Sequence, residues 1–219
     1  PGVKSYSKII KYNLEPVIYN MRLLELFGDK KSPLPVHFKF NTGMNRYGFN
    51  AEEIDDLSKK LTAFPHLTIK SICSHLAAAD DKKKDAFTYN QIEKFNGVCD
   101  AFDEKLNINP KRNILNTAGA LRFTKAQNQM VRLGIGLYGI GDDEDLMPVG
   151  KLVSNLAQIR CLQIGDSVGY DTSFVAEKKM KIAIIPLGYA DGINRKLGDG
   201  KGKVRINNST AKIIGKISM

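Results

Sequence analysis

Residues Val36 to Phe64, VHFKFNTGMNRYGFNAEEIDDLSKKLTAF, hold one complete strand-to-helix unit. Val36 to Phe40 is a short apolar run of the kind that forms a buried strand. Asn50 followed by Glu53 is a capping-box signature, set directly ahead of Ile54, Leu57, Leu61 and Phe64 at helical spacing. The same alternation continues on both sides. Leu14 to Tyr19, Ile69 to Ser74, Arg112 to Asn116 and Val131 to Gly134 read as further short buried strands, five with Val36 to Phe40. Between them, Ile92, Phe95, Cys99 and Phe102 mark one face of a second helix. Strands alternating with helices imply βαβ units and a parallel sheet with right-handed crossovers, which leaves a doubly wound sheet and a barrel both open.

After Gly139 the texture changes. An acidic loop, Gly141 to Asp145, precedes alternating runs at Leu152 to Leu162, Ser167 to Ala176 and Met180 to Leu187. Gly165-Asp166 and Asn207-Asn208 sit where hairpin turns are needed, and Lys203 to Ile206 and Ala211 to Ser218 have no helix between them. The expected organisation is an α/β domain over residues 1–141, followed by a mainly antiparallel β domain over 142–219.

A chain of 219 residues buries a real core, and its 42% hydrophobic and 26% charged content is that of an ordinary globular protein rather than a disordered one. The net charge of +10 would suit a nucleic-acid binder, but the lysines are scattered and interleaved with acids, as in Glu177 to Lys181, and no basic stripe with aromatics emerges. Cys73, Cys99 and Cys161 are odd in number and lack a CxxC pair, so neither a disulfide framework nor a zinc site is expected. A reducing cytoplasm, no membrane span, no metal and no nucleic-acid partner are the corresponding expectations. A start at Pro1 without an initiator Met and a strand-like end at Met219 suggest a fragment.

Five segments place polar groups at or near predicted strand ends, where an α/β barrel assembles its active site. They are Lys39-Phe40-Asn41-Thr42-Gly43-Met44-Asn45-Arg46, Ser74-His75-Leu76-Ala77, Asn116-Thr117-Ala118-Gly119, Val131-Arg132-Leu133-Gly134-Ile135 and Val168-Gly169-Tyr170. With Gly136-Leu137-Tyr138-Gly139 and Pro186-Leu187-Gly188-Tyr189-Ala190-Asp191-Gly192, they make seven motifs whose order resembles that of the alanine racemase family, from about Leu14 to Met219. The resemblance implies a partial (β/α)8 TIM barrel of about five strands that binds pyridoxal 5'-phosphate, followed by an incomplete, mainly antiparallel β domain. It also implies a homodimer with shared active sites that interconverts L- and D-alanine by two-base proton exchange and supplies D-alanine for peptidoglycan.

Roles follow from the resemblance residue by residue. Thr117, with the amides of Gly134 and Ile135, would hold the cofactor phosphate; the family usually has Ser at Thr117, and either hydroxyl can donate. Arg132 would face the pyridine nitrogen, where a guanidinium that keeps its proton holds that nitrogen unprotonated. Tyr170 would be one base and a lysine the other, with His75 and Arg132 behind Tyr170 favouring its phenolate. Arg46 would reach the cofactor's phenolic oxygen and the substrate carboxylate, steadied by Lys39, which many family members carbamylate. Met219 would meet substrate from the second subunit. Asn41 and Asn45 depart from the usual Asp and Gly of their segment. Each assignment has a structural alternative: Thr117 as a helix cap, Arg132 as a surface ion-pair partner, Tyr170 as core filling and His75 as a satisfied buried imidazole.

The cofactor lysine of the family sits in a Lys-Ala-x-Ala-Tyr-Gly-like string that this sequence does not contain. Three barrel strands and the last part of the β domain are also expected to be absent, so this polypeptide alone is expected to be inactive. Alternative readings are a broad-specificity or serine racemase and a non-catalytic PLP-binding regulatory protein; the latter normally lacks a β domain. A decarboxylase of the same barrel type is disfavoured, because its Cys-bearing and Glu-Pro-Gly-Arg strings do not occur.

Overall fold

In the computed structural model, which describes residues 5–219, the chain forms two compact units that divide between Gly150 and Lys151. The first unit begins with α1 (Tyr6–Lys11) and continues as β1 (Val17–Ile18), α2 (Met21–Gly28), β2 (Leu34–Lys39), α3 (Ile54–Thr62), β3 (Leu67–Cys73), α4 (Asp85–Leu106), β4 (Lys111–Asn113) and α5 (Thr117–Arg122). The strands pair in parallel in the order β1-β2-β3-β4. Each strand thus lies beside its predecessor and the order never reverses. That is the stave-by-stave advance of a barrel; a doubly wound sheet reverses at its switch point. The arrangement is a partial TIM barrel.

Helices and strands share one apolar layer because the β2 pattern alternates: Val36, Phe38 and Phe40 are buried beneath the helices while His37 and Lys39 are half-buried on the opposite face. Leu23, Leu24 and Phe27 of α2, Leu57 and Leu61 of α3, and Ile92, Phe95 and Phe102 of α4 complete that layer. The Phe102 ring lies 5.7 Å from Phe38 and 5.4 Å from Phe40, the spacing of favourable tilted and edge contacts. The opposite face is polar. His37 meets Ser71 Oγ at 2.7 Å through Nδ1 and Glu15 at 2.9 Å through Nε2, and Asn113 donates to Ser71 Oγ at 3.3 Å.

The predicted pairing of Asn50 with Glu53 forms: Asn50 N–H donates to Glu53 Oε2 at 2.8 Å, and Glu53 N–H donates in return to the Asn50 backbone carbonyl at 3.1 Å. The predicted face of α4 is buried as expected. Val131 to Gly134 forms no strand. Its only ladder-like bond runs from Arg132 N–H to Leu115 O at 3.0 Å, and the chain then enters a 3-10 turn, Ile135–Tyr138. An apolar run alone does not separate a strand from an extended segment that is held by one residue.

The second unit contains β5 (Gln158–Leu162), β6 (Ser167–Val168), β7 (Phe174–Val175), β8 (Met180–Ile184), β9 (Lys203–Ile206) and β10 (Ser209–Lys212). Its pairs, β5 with β8, β6 with β7 and β9 with β10, are all antiparallel. Asn207-Asn208 closes the last hairpin as expected, with Ile206 opposite Ser209. Gly165-Asp166 turns the chain but joins β5 to β6, which do not pair. Both residues bond Ala176 instead, which lengthens the β6–β7 ladder. Ser167 to Ala176 is therefore two short strands rather than one, and the run from Ala211 leaves the ladder after Lys212, with Ile213 N–H donating to Gly202 O.

Candidate active site

The chain ends of β2, β3 and β4 and the segment after Gln129 bring their polar side chains together in the first unit. Thr42 Oγ1 and Ser74 Oγ lie 2.7 Å apart, and Ser74 Oγ donates to Phe40 O at 2.9 Å, so the loops after β2 and β3 are bolted together by two buried hydroxyls. The His75 backbone is fixed from α4, where buried Gln91 donates to His75 O at 3.3 Å and accepts from Ala77 N–H at 2.9 Å.

Arg132 reaches across the strand ends. Its guanidinium donates to Ser74 O at 2.5 Å, Asn113 O at 3.3 Å and His75 Nδ1 at 3.0 Å. A guanidinium has no acceptor to offer, so His75 Nδ1 must accept and the neutral ring carries its proton on Nε2. Burial first, then the nearby charges of Arg132, Lys39 and Arg46, pull the His75 pKa down to about 4, so the ring is neutral at physiological pH. Of the five N–H groups on Arg132, two remain without a partner among the described residues.

Lys39 faces the same cluster. Its pKa is lowered chiefly by burial; the Cys73 thiol opposes this, and Arg132 and Arg46 reinforce it. Lys39 and Cys73 are direct partners across β2 and β3. Arg46 stands on an exposed loop whose shape is set by Asn41. The Asn41 Oδ1 accepts from Gly43 N–H and Asn45 N–H, while its Nδ2 donates to Asn45 Oδ1 and Asn50 Oδ1. Asn45 itself is left-handed at φ +53, a conformation that Asn adopts more readily than most residues. The two departures from the usual Asp and Gly therefore fit together as a neutral amide network.

Asn116, not Thr117, caps α5, accepting from Gly119 N–H at 2.9 Å, while its Nδ2 donates to Leu76 O at 3.3 Å. Thr117 turns instead to the segment after Arg132: its Oγ1 accepts from Gly134 N–H at 3.1 Å and Gly136 N–H at 3.2 Å. Both lone pairs are then engaged and the hydroxyl hydrogen is left to donate. The Ile135 amide opens its 3-10 turn and has no partner among the described residues. His75, Thr117, Arg132 and Gly134 thus converge at one end of the parallel sheet, with Lys39 and Arg46 beside them.

In the second unit Tyr170 is 69% exposed and so does not fill a core, and Met219 is 73% exposed. Among the described residues, no group of three or more His, Cys, Asp or Glu side chains is placed to hold a metal ion, and no helix is long and apolar enough to cross a membrane. Sequence reading had named His75 and Arg132 but missed Gln91 and Asn113, which fix them. Gln91 had left a signal, since it is a polar residue within the buried face of α4. Asn113 contributes a backbone carbonyl, which has no signature.

Comparison with known proteins gives one family. The pattern of "Alanine racemase, N-terminal domain" matches residues 2–142 and that of "Alanine racemase, C-terminal domain" residues 149–219. An alanine racemase of Treponema denticola is 34% identical over 232 residues, covering 100% of this chain and 60% of that protein. An amino-acid racemase of Enterococcus faecalis is 36% identical over 225 residues, covering 97% of this chain and 31% of that protein. Among solved structures, the alanine racemase from Bartonella henselae with covalently bound pyridoxal phosphate superposes with a TM-score of 0.80 at 28% identity, covering 99% of this chain and 60% of that one. The biosynthetic alanine racemase from Pseudomonas aeruginosa gives 0.84 at 28%, covering 100% and 62%. The chain spans about three fifths of the length of the alanine racemases that it matches. With both domain patterns present in order on a partial barrel and a β unit, this chain belongs to the alanine racemase family.

Proposed function

We propose that the whole protein is a pyridoxal-phosphate-dependent alanine racemase that interconverts L- and D-alanine in the cytoplasm and supplies D-alanine for peptidoglycan. Residues 1–141 would form the cofactor-binding part of the barrel and residues 142–219 the β domain. The observation that carries the reading is the Arg132 guanidinium, locked by two carbonyls and His75 with two N–H groups to spare. Pyridoxal 5'-phosphate, when bound, supplies the electron sink that lets an amino acid lose its α-proton.

The residues present suit that group. The Thr117 hydroxyl hydrogen and the Ile135 amide are donors for a phosphate, and the Gly134 amide supports them by holding Thr117. Arg132, which does not release its proton, would keep a ring nitrogen unprotonated, weakening the sink and favouring simple proton exchange over side reactions. Arg46 would grip the substrate carboxylate and the cofactor's phenolic oxygen. Burial and neighbouring cations keep more of the Lys39 amine neutral, the form that carbamylation requires, and a carbamate there would steady Arg46. Tyr170 would take or return the α-proton on one face, and Met219 would line the substrate pocket. Both would come from the second subunit of a homodimer. A lysine on the opposite face, in the string this sequence lacks, would be the other base and the covalent anchor.

A broader amino-acid racemase is the second reading, favoured by the Enterococcus faecalis relative of that description. The whole protein, loaded with pyridoxal phosphate in D2O, should exchange the α-proton of L-alanine and racemise it, with L-serine much slower; equal rates would favour the second reading, and no exchange on either substrate would refute both. The 219-residue chain alone should give no borohydride-fixed pyridoxyl-lysine. Such an adduct would show that the anchor lies within it.

A further inference from the structure

We propose that Lys216 and Asp171 form a clamp that positions the Tyr170 side chain, so that Lys216 is a positioning residue for proton transfer at Tyr170. The proposal rests on the reading of Tyr170 as a base. The turn that carries Tyr170 is unusual: Gly169, Asp171 and Thr172 have φ of +81, +55 and +47. Glycine enters this region freely, but a β-branched threonine does so only under constraint from its surroundings. The flanking hairpin gives little, since β6 and β7 pair through two residues each. Within this chain Tyr170 is 69% exposed, so its neighbours here pack little of its side chain. Its direction is therefore set by the backbone of the turn.

That backbone is held from the segment around Lys216. The Lys216 N–H donates to Ser173 Oγ at 3.1 Å, and the Lys216 ammonium pairs with the Asp171 carboxylate. One residue thus grips the turn twice, immediately after Tyr170 and three residues after it. Gly215 suits the approach: its φ of +64 would strain any other residue, and a Cβ there would press on Val168 O at 3.2 Å. Pairing with Lys216 also holds the Asp171 carboxyl below its ordinary range, so the clamp is ionic at neutral pH. The grip matters for chemistry because a base displaced by about 1 Å from its proton can lose about a hundredfold in rate.

Amide hydrogen exchange of the 219-residue chain tests the clamp without cofactor. Lys216→Met and Asp171→Asn should each speed exchange over residues 169–174 by about tenfold or more, with β5 and β8 unchanged as the control for folding, and Lys216→Arg should restore protection. Unchanged exchange in Lys216→Met would overturn the clamp. In the racemisation assay on the holoenzyme, Lys216→Met should lower kcat about tenfold with KM within about twofold, again rescued by Lys216→Arg. Faster exchange with unaltered kcat would reduce Lys216 to a structural residue and overturn the positioning role. Tyr170→Phe separates the two claims: the lysine can still exchange the α-proton on its own face, but if that variant racemises alanine at an unaltered rate the base assignment fails, while the amide-exchange data still decide the clamp.

Discussion

His75 binds its proton less tightly in the fold than in the unfolded chain, since its pKa falls from 6.5 to about 4. The unfolded state therefore holds more protons between those values, and stability falls as the pH is lowered through that window. Below about 4 both states are protonated and the loss levels off. The ring is only half-buried, so the full shift is screened and a loss of about 1 to 2 kcal/mol is expected. Urea unfolding of the chain at pH 7 and pH 4.5 should show this difference, and His75→Gln, which keeps an acceptor for Arg132, should remove most of it. At this scale His75, Thr117 and Arg132 each had a structural alternative when taken singly, and only the order of the seven motifs singled them out. Their supports were less visible: the carbonyls of Ser74 and Asn113 are backbone atoms, which every residue possesses.

Short elements depend on how their ends are satisfied. α5 spans six residues, and its first turn is closed by Asn116 Oδ1 on Gly119 N–H while Asn116 Nδ2 reaches Leu76 O. Asn116→Ala removes both bonds and should lower stability by about 1 to 2 kcal/mol in denaturant titration, whereas Asn116→Asp should keep the cap and lose only the second bond. The same residue explains a boundary. Arg112 to Asn116 looked like a continuous strand, but β4 ends at Asn113 and Asn116 serves as the cap of the next helix. The Asn50–Glu53 pairing was legible because it is a local exchange of two bonds between residues three apart. Val131 to Gly134 was not, because what holds Arg132 is its own side chain reaching back to the ends of β3 and β4, at separations of 19 to 58 residues.

For the molecule as a whole, local patterning could announce parallel βαβ units but not the choice between a doubly wound sheet and a barrel, since both repeat the same unit. The strand order β1-β2-β3-β4 makes that choice. The division between Gly150 and Lys151 falls within a stretch, residues 147–157, that contains no helix or strand and is exposed almost throughout. Limited trypsin digestion should therefore cut first after Lys151, giving two protease-resistant pieces; initial cuts within α4 or at Lys181 of β8 would contradict this. The contact between Thr117 and Gly136 limits what each position accepts. A Cβ on residue 136 would sit 2.5 Å from the Thr117 methyl but 3.3 Å from its oxygen, so a serine at 117 leaves room there and a threonine does not. The two positions are thus coupled: the threonine methyl is what a side chain at 136 would have to displace, and a serine at 117 removes that obstacle.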